Sequence, residues 1–190
     1  MKMLGSAGDF PYQGDDPTPY NPDRLKGVLR LAADKSGWGK SAANGIGRGI
    51  ACHFTFGGYA AICMDVSLAH DNKLTIHRVV IALDCGQPVN LSGIEAQAQG
   101  GVIDGLGSSI FGEITIRNGA AEQSNFDGYR LIRNGEVPPV EVFVVPGAQR
   151  PTGFGEIALP PVAPALANAI FAATGNRIRK LPFTASGISL

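Results

Sequence analysis

The chain has 190 residues, of which 44% are apolar and 17% are charged, with Lys+Arg and Asp+Glu balanced at 16 each. This length allows one domain with a buried core, and the charge balance excludes the strongly basic surface typical of nucleic-acid or anionic-membrane binding. No apolar run reaches the roughly 20 residues of a membrane span.

Residues 1–20 are rich in Gly, Pro and Asp without periodicity and predict an extended or disordered lead-in. Asn21-Pro22 then offers an N-cap and a first-turn proline for a helix that ends near Gly37. We interpret this helix as a packing element without chemistry. Residues 21–190 are predicted to form one domain.

A glycine-punctuated segment, Ser41 to Gly49, follows and contains the sequence GIGRG. It has some likeness to a phosphate-binding loop. However, it lacks the lysine and hydroxyl residue of a P-loop, the pattern GxGxxG is not met, and a strand rather than a helix follows. We therefore predict a turn without a nucleotide site.

Alternating apolar residues predict strands from Ile50 onward. The alternation pauses at Gly57-Gly58, which we interpret as a bulge or bend in one long strand, and then resumes as far as Leu68. Asp71-Asn72-Lys73 predicts a turn, after which residues 74–83 return as a partner strand. These segments predict the centre of a sheet.

The candidate metal ligands are three cysteines and three histidines, namely Cys52, Cys63, Cys85, His53, His70 and His77. The cysteines have no C-x-x-C spacing, so we interpret them as buried small apolar residues rather than zinc or iron–sulfur ligands. The histidines also lack metal-binding spacing. We favour structural roles for them, with a histidine site as the alternative.

Ser92-Gly93-Ile94-Glu95 has the pattern of a capping box and predicts a helix from Ile94 to about Leu106. Gly100-Gly101 lies inside this helix, where each glycine costs about 1 kcal/mol relative to alanine. We therefore expect either close packing or the close approach of a ligand at this pair. Gln97 on the same helix is either a solvated side chain or a carboxamide that binds a ligand.

Asn118-Gly119 is a strong hairpin signal, and residues 140–145 predict a further strand. We expect the loop between them, residues 125–129, to cross near the functional site. Its aromatic residues Phe126 and Tyr129 either line a substrate funnel or, as we favour, pack as ordinary aromatic side chains.

We assign the function to the segment Gly153-Phe154-Gly155-Glu156. Two glycines two positions apart let the backbone turn tightly or approach a ligand closely, and they place one carboxylate ahead of a helix. Pro160-Pro161 suits the start of that helix, apolar residues recur at helical spacing as far as Thr174, and Gly175 suits the C-cap. Its alanine-rich face allows a close neighbour. Without a ligand, Glu156 would serve the first-turn amides and the helix dipole.

Two segments carry a resemblance to a known family: GFGEIALPPVAPALANAIFAATGNRIRKLP and, upstream of it, DCGQPVNLSGIEAQAQGGVIDGLGSSIFGEI. Both resemble the C-terminal part of the molybdopterin-binding large subunit of the xanthine dehydrogenase/aldehyde oxidase family, the molybdenum hydroxylases. The branch that they resemble most is the isoquinoline 1-oxidoreductase beta subunit. The resemblance covers roughly residues 32–182.

This resemblance implies that Glu156 is the base beside the molybdenum and that Gln97 and Gly155 contact the cofactor, Gln97 by hydrogen-bonding the pyranopterin. It implies oxidation of a small aromatic N-heterocycle or an aldehyde, in which the cofactor performs the redox step and the protein supplies a positioned base. The implied cofactor is molybdenum–molybdopterin in the cytosine dinucleotide form.

The resemblance also implies partners, because the family's large subunits are several times longer than this chain. We expect the N-terminal part of a large subunit to complete the site, a separate iron–sulfur subunit to carry electrons away, and the isolated chain to be inactive. The alternative is a non-catalytic truncated or structural module of the same fold that binds no cofactor by itself. The compartment is cytoplasmic by default, with a periplasmic location through an exported partner as the alternative.

The predicted fold class is α+β, with a mixed or antiparallel sheet and three main helices packed on it.

Overall fold

The computed structural model describes residues 19–190 together with Leu4 and Gly8. Most of the lead-in predicted for residues 1–20 therefore lies outside the described residues. The helices are α1 (Pro22–Ser36), α2 (Leu91–Ile110) and α3 (Val162–Thr174). The strands are β1 (Gly47–Thr55), β2 (Gly58–Leu68), β3 (Leu74–Asp84), β4 (Ile116–Arg117), β5 (Ala120–Ala121) and β6 (Val140–Val144).

Four strands form the main sheet in the order β1-β2-β3-β6. The first three are antiparallel neighbours, whereas β6 is parallel to β3. A parallel pair needs a long crossover connection, and the one between β3 and β6 contains α2. β4 and β5 form a separate hairpin around the predicted Asn118-Gly119 turn, where both residues have positive φ. This mixed sheet with three helices confirms the predicted α+β class.

Helices cover both faces of the sheet. α1 covers one face, where the buried apolar residues are Leu25, Val28, Ala32, Tyr59, Ala61 and Ala82. α2 and α3 cover the other face, and the core there includes Ile62, Met64, Ile81, Leu83, Val102, Leu106, Leu166 and Ile170. Because both faces are covered, β2 and most of β3 are continuously buried rather than alternating. None of the described helices is long and apolar enough to cross a membrane.

The predicted bend at Gly57-Gly58 is wrong, because the chain reverses there. Thr55 pairs with Gly58 across a two-residue turn, in which Phe56 and Gly57 have φ values of 51° and 72°. Two positive φ values give the turn geometry that matches strand twist in a hairpin. Phenylalanine rarely adopts positive φ, so its presence in the turn concealed the hairpin in the sequence.

α1 begins and ends where predicted, whereas α2 does not. The α2 N-cap is Asn90, whose side chain accepts a hydrogen bond from the Gly93 amide, while Ser92 Oγ donates to Asn90 Oδ1. The capping box predicted at Ser92 is therefore wrong, because the asparagine two residues upstream takes the amide of the first turn. The helix also continues past Leu106 to Ile110.

α3 packs on β1 through residues without bulk. A Cβ on Gly47 would lie 2.1 Å from the Ala169 carbonyl oxygen, and a Cβ on Gly49 would lie 2.2 Å from the Ala165 carbonyl oxygen. The backbone of the helix occupies that space, so this contact requires glycine. The close approach expected of the alanine-rich face is confirmed. The predicted 41–49 loop is too long, because Gly47 and Gly49 already belong to β1.

Candidate functional site

A cavity of about 380 Å³ opens at the N-terminal end of α2. Three segments line it: the residues after β3, the first turns of α2, and the loop ahead of α3. Its walls include Cys85, Gln87, Asn90, Gln97, Thr152 and Gly155. This volume lies in the range of small-molecule sites, so the cavity is large enough for a substrate or part of a cofactor.

Two of the three predicted site residues, Gln97 and Gly155, meet in this cavity. A Cβ built on Gly155 would lie 3.4 Å from Gln97 Nε2, so the glycine and the carboxamide are immediate neighbours. Gln97 is exposed, and its carboxamide makes no hydrogen bond within the part of the chain that the structure describes. Two residues that lie far apart in the sequence thus contribute to one site.

Glu156 lies beside the cavity rather than in its wall. Its neighbour Gly155 lines the cavity, whereas Ile157 and Ala158 are buried in the core. The Glu156 side chain is exposed and forms no ion pair or hydrogen bond among the described residues. α3 begins only at Val162 and has no acid in its first turn, so the alternative interpretation of Glu156 as a helix-capping acid is wrong.

Thr152 is a cavity-lining residue that the sequence analysis missed. Its Oγ1 is buried, and it is the single buried side-chain nitrogen or oxygen without a hydrogen-bond partner among the described residues. An unpaired buried hydroxyl costs about 1–3 kcal/mol. Thr152 lines the same cavity as Gln97, although its hydroxyl itself is buried. The sequence could not predict that this hydroxyl is buried and unpaired, because burial depends on the fold and a lone threonine in a loop forms no pattern.

The loop that carries Thr152 and Glu156 is held at both ends. The Gly153 amide donates to the Phe56 carbonyl oxygen at 3.1 Å, and a Cβ on Gly153 would lie 2.8 Å from Phe56 Cβ. The first glycine of the predicted motif therefore allows the loop to contact the β1–β2 turn. At the other end, Ala158 packs on α2, where a Cβ on Gly101 would lie 3.0 Å from Ala158 Cβ.

The contact at Gly101 confirms the close packing expected at the Gly100-Gly101 pair for one of the two residues. Gly100 differs, since a Cβ built there would meet no atom within 4 Å among the described residues. Of the two glycines, only Gly101 is thus explained by packing among the described residues.

A largely buried ion pair anchors the part of the cavity wall that follows β3. Asp84 at the end of β3 is 5% exposed and accepts hydrogen bonds from Arg24 Nη2 and Nε at 2.6 and 2.9 Å. The same carboxylate accepts a bond from the Gly86 amide at 3.0 Å. The turn that positions Cys85 in the cavity wall is therefore tied to α1 through Arg24.

The cysteines do not form a metal site. Cys63 and Cys85 are buried and Cys52 is partly buried, and burial raises the pKa of each thiol. No group of three or more His, Cys, Asp or Glu side chains is placed to hold a metal ion within residues 19–190. The interpretation of Cys63 and Cys85 as buried apolar residues is confirmed.

The loop of residues 125–129 lies away from the cavity. It adjoins the C-terminal end of α2, where the Tyr129 hydroxyl lies 3.2 Å from a Cβ built on Gly112. Gln97 is roughly 20 Å away along the helix, at a rise of about 1.5 Å per residue. The expectation that this loop crosses near the site is therefore wrong. Phe126 is 82% exposed, so the predicted packing of its ring is also wrong.

Residues 32–138 match the family model described as a molybdopterin cofactor-binding domain. The chain belongs to this family. The matched range contains Gln97, whereas Thr152, Gly155 and Glu156 lie beyond it.

Two curated proteins and a solved structure extend the comparison of this molybdopterin-binding chain. The isoquinoline 1-oxidoreductase beta subunit of Brevundimonas diminuta is 30% identical over 159 residues, which cover 82% of this chain and 20% of that protein. A nicotinate dehydrogenase subunit of Pseudomonas putida is 31% identical over 199 residues, which cover 92% of this chain and 17% of that protein. The chain thus spans about a fifth of the length of these relatives.

The crystal structure of quinoline 2-oxidoreductase from Pseudomonas putida 86 superposes with a TM-score of 0.60. The match covers 66% of this chain and 17% of that one at 20% identity, and it shows a shared fold. Together with the family match, these relatives confirm the predicted resemblance to the molybdenum hydroxylases.

The chemistry of the cavity fits a pterin. A pterin ring presents hydrogen-bond donors and acceptors side by side, and a carboxamide such as that of Gln97 offers both. Gly155, next to that carboxamide, adds no side chain of its own. The Gln97 carboxamide therefore offers the cavity a donor and an acceptor of the kind that a pterin ring can pair with.

Proposed function

We propose that this chain is part of a molybdenum hydroxylase that oxidises an N-heterocycle or an aldehyde. The observation that carries the proposal is the meeting of Gln97, Gly155 and Thr152 at one cavity, with the uncommitted carboxylate of Glu156 beside it. The names of the relatives support the substrate class, because isoquinoline and nicotinate are both N-heterocycles.

The proposed cofactor is molybdenum–molybdopterin in its cytosine dinucleotide form, which supplies the redox chemistry when bound. Gln97 would hold the pterin through the donor and acceptor of its carboxamide. Gly155, next to that carboxamide, would let the ring approach the backbone. Gln97 and Gly155 would thus bind the pterin ring and set its orientation.

Glu156 is proposed as the proton acceptor of the reaction. A general base must be free to accept a proton and must reach the group that loses it. No hydrogen bond or ion pair among the described residues holds the Glu156 side chain. The buried residues Ile157 and Ala158 fix the backbone that follows Glu156. The Glu156 main chain is therefore held in place, while its carboxylate is not held by another group among the described residues.

We further propose that the N-terminal part of a large subunit covers the exposed side of this cavity and that a separate iron–sulfur subunit accepts the electrons. The relatives are about five to six times as long as the regions matched, so they contain enough further chain to cover this surface. Val89 lines the cavity but is 85% exposed, and the nearby Leu91 is 55% exposed. Apolar side chains at the edge of a binding site are typical of a surface that a partner covers.

The test is metal and pterin analysis of the complex purified with its natural partners, in wild-type form and as Glu156→Gln. We expect equal molybdenum and pterin contents and a turnover reduced by about 100-fold or more in the variant, because a positioned base contributes at least that factor. Glu113→Gln, a change at another exposed glutamate, should retain wild-type turnover.

Two results would contradict the proposal in different ways. Near-normal turnover of a molybdenum-loaded Glu156→Gln enzyme would show that the base is another residue. A natural complex that holds neither molybdenum nor pterin would instead support the alternative, a non-catalytic module of this fold.

A further inference from the structure

The chain between α2 and β6 includes a stretch without a buried residue, residues 112–137, which we call the connecting segment. It nevertheless carries large apolar side chains that are exposed, namely Ile114, Ile116, Phe126, Leu131 and Val137. Single exposed apolar residues are common on protein surfaces. Their concentration in one segment is instead typical of a surface that another protein covers.

Polar contacts within the connecting segment determine its shape. The Glu122 amide donates to the Thr115 carbonyl oxygen at 2.9 Å, and the Thr115 amide donates to Gln123 Oε1 at 2.9 Å. Further along, the Arg133 amide donates to Glu136 Oε2 at 3.0 Å. The segment thus keeps its conformation while its apolar side chains are exposed. A surface that is already ordered loses less conformational entropy when a partner binds.

The connecting segment is attached to the C-terminal end of α2. Ile132 packs against the core, and the Arg130 guanidinium lies 3.8 Å from the centroid of the Phe111 ring. Beyond this attachment, Phe126 is 82% exposed and lies with Leu131 at the wall of a cavity of about 390 Å³. An exposed aromatic ring beside a recess is the kind of feature that carries binding energy in protein–protein interfaces.

The charges of the connecting segment favour a protein as its partner. The segment contains four acidic and three basic residues, so it has no strong charge of one sign. Arg117 pairs with Glu122 at 2.6 Å, and Arg130 pairs with Glu136. Nucleic acids and anionic membranes select strongly basic surfaces, which this segment does not provide.

The lengths of the relatives indicate which protein covers the segment. The matched residues make up 20% of the isoquinoline 1-oxidoreductase beta subunit and 17% of the nicotinate dehydrogenase subunit, so about four-fifths of each relative lies outside the match. The family match, residues 32–138, includes the connecting segment. In these relatives the matched region and the remaining chain belong to one polypeptide, which places that chain beside this domain.

We propose that the connecting segment is a second docking surface for the N-terminal part of the large subunit, with Phe126 and Ile116 as its apolar anchors. This inference rests on the assembly proposed above. The surface is separate from the cavity, because Gln97 lies roughly 20 Å away along α2. One partner therefore contacts both ends of this helix.

The test uses the complex purified with its natural partners. In the first experiment, the photo-crosslinking amino acid p-benzoylphenylalanine replaces Phe126 in cells, and mass spectrometry identifies the crosslinked chain. In the second, the double variant Ile116→Thr/Phe126→Ser is compared with the wild type. Its matched control is Trp38→Ser, which removes an exposed apolar side chain, 47% exposed, outside the segment. Dilution of each purified complex gives the Kd of its subunits.

We expect the crosslink to join this chain to the N-terminal part of the large subunit. The Kd for that part should rise about 10-fold or more in the double variant, because each anchor residue of an interface contributes more than about 1 kcal/mol. Trp38→Ser should assemble as the wild type does. The double variant of the 190-residue chain alone should unfold at the wild-type temperature, because both replaced side chains are exposed.

A crosslink to the iron–sulfur subunit, to a second copy of this chain or to no protein would overturn the inference. A Kd that is unchanged in the double variant, or that rises equally in Trp38→Ser, would do the same and leave the proposed function intact. A wild-type complex that forms the expected crosslink but holds neither molybdenum nor pterin would instead support this surface and overturn the cofactor function.

Discussion

Glu156 and Thr152 lie four residues apart in one loop, but their polar groups have opposite exposure. The Glu156 carboxylate is unpaired and exposed, whereas the Thr152 hydroxyl is unpaired and buried, among the residues that the structure describes. Burying an unpaired carboxylate costs far more free energy than burying an unpaired hydroxyl, so the Glu156 carboxylate remains exposed to solvent. In the proposed complex, a partner that covers the cavity would therefore change the environment of the Glu156 carboxylate more than that of the Thr152 hydroxyl.

His53 in β1 makes the stability of the chain depend on pH. Burial lowers its pKa below the usual value of 6.5, so the folded state favours the neutral imidazole. Neutral His53 therefore contributes to the stability of the folded state above pH 6.5, and this contribution is lost as the pH falls through the lower pKa of His53 in the folded state. We expect the unfolding temperature to fall between about pH 7 and pH 5, and to fall less in His53→Gln.

The control for this measurement is His70→Gln, because His70 is exposed in the turn after β2. The unfolding temperature of His70→Gln should change with pH as that of the wild type does. If His53→Gln and the wild type show the same slope of unfolding temperature against pH, the histidine is not the titrating group.

At the scale of elements, the contact between β1 and α3 determines how the loop of residues 152–156 enters the core. The α3 backbone lies against Gly47 and Gly49, and Asn168 Nδ2 donates to the Ile50 carbonyl oxygen at 3.1 Å. Since α3 starts six residues after Glu156, the position of the helix on the strand also sets where that loop ends. Gly47 and Gly49 of the GIGRG segment thus serve packing.

Gly49→Ala should destabilise the chain strongly. The new Cβ would lie 2.2 Å from the Ala165 carbonyl oxygen and from the Ala169 nitrogen, and backbone atoms cannot yield as a flexible side chain can. We expect a loss of about 3 kcal/mol, the upper part of the range for overpacking. Urea denaturation of the chain measures it.

Gly100→Ala is the matched glycine substitution, because the new Cβ would meet open space in the interior of a helix, as far as the described residues extend. It should raise the free energy of unfolding by about 1 kcal/mol. A Gly49→Ala variant as stable as the wild type would show that α3 does not press on β1 as described.

At the scale of the whole molecule, one ion pair connects three parts of the fold. Arg24 belongs to α1 on one face of the sheet, Asp84 ends the central strand β3, and the Gly86 amide bonded to Asp84 belongs to the turn beside the cavity. The Arg24 guanidinium also lies 4.5 Å from the Tyr59 ring centroid, on the same face. The helix without chemistry of its own therefore helps to shape the site.

Asp84→Asn should show this coupling. Removing one partner of a buried pair leaves the other charge uncompensated, and we expect a loss of about 3 kcal/mol, at the lower end of the known range because Arg24 retains some contact with water. Hydrogen exchange of the Gly86 amide should also accelerate, since its acceptor is weakened.

Arg117→Ala provides the comparison, because the Arg117–Glu122 pair is exposed and such pairs contribute less than about 1 kcal/mol. Equal losses in the two variants would contradict the view that burial makes the Arg24–Asp84 pair important.

Several features of the fold could be predicted because they depend on residues close in sequence. Asn21 caps α1 with its own side chain, and Gly37 and Gly175 end helices at positive φ. The strands of the sheet centre and the Asn118-Gly119 hairpin follow from local patterns in the same way. Where two local signals competed, as at Asn90 and Ser92, the sequence predicted the helix but not its cap.

For the site, the sequence by itself determined the family and named Gln97, Gly155 and Glu156, because their motifs are contiguous and specific. Only the tertiary structure decided that Gln97 and Gly155 share a cavity, that Thr152 Oγ1 has no partner among the described residues there, and that Asp84 anchors the wall. The reason is physical: burial and hydrogen-bond pairing depend on atoms brought together from distant parts of the chain, and no local pattern records them.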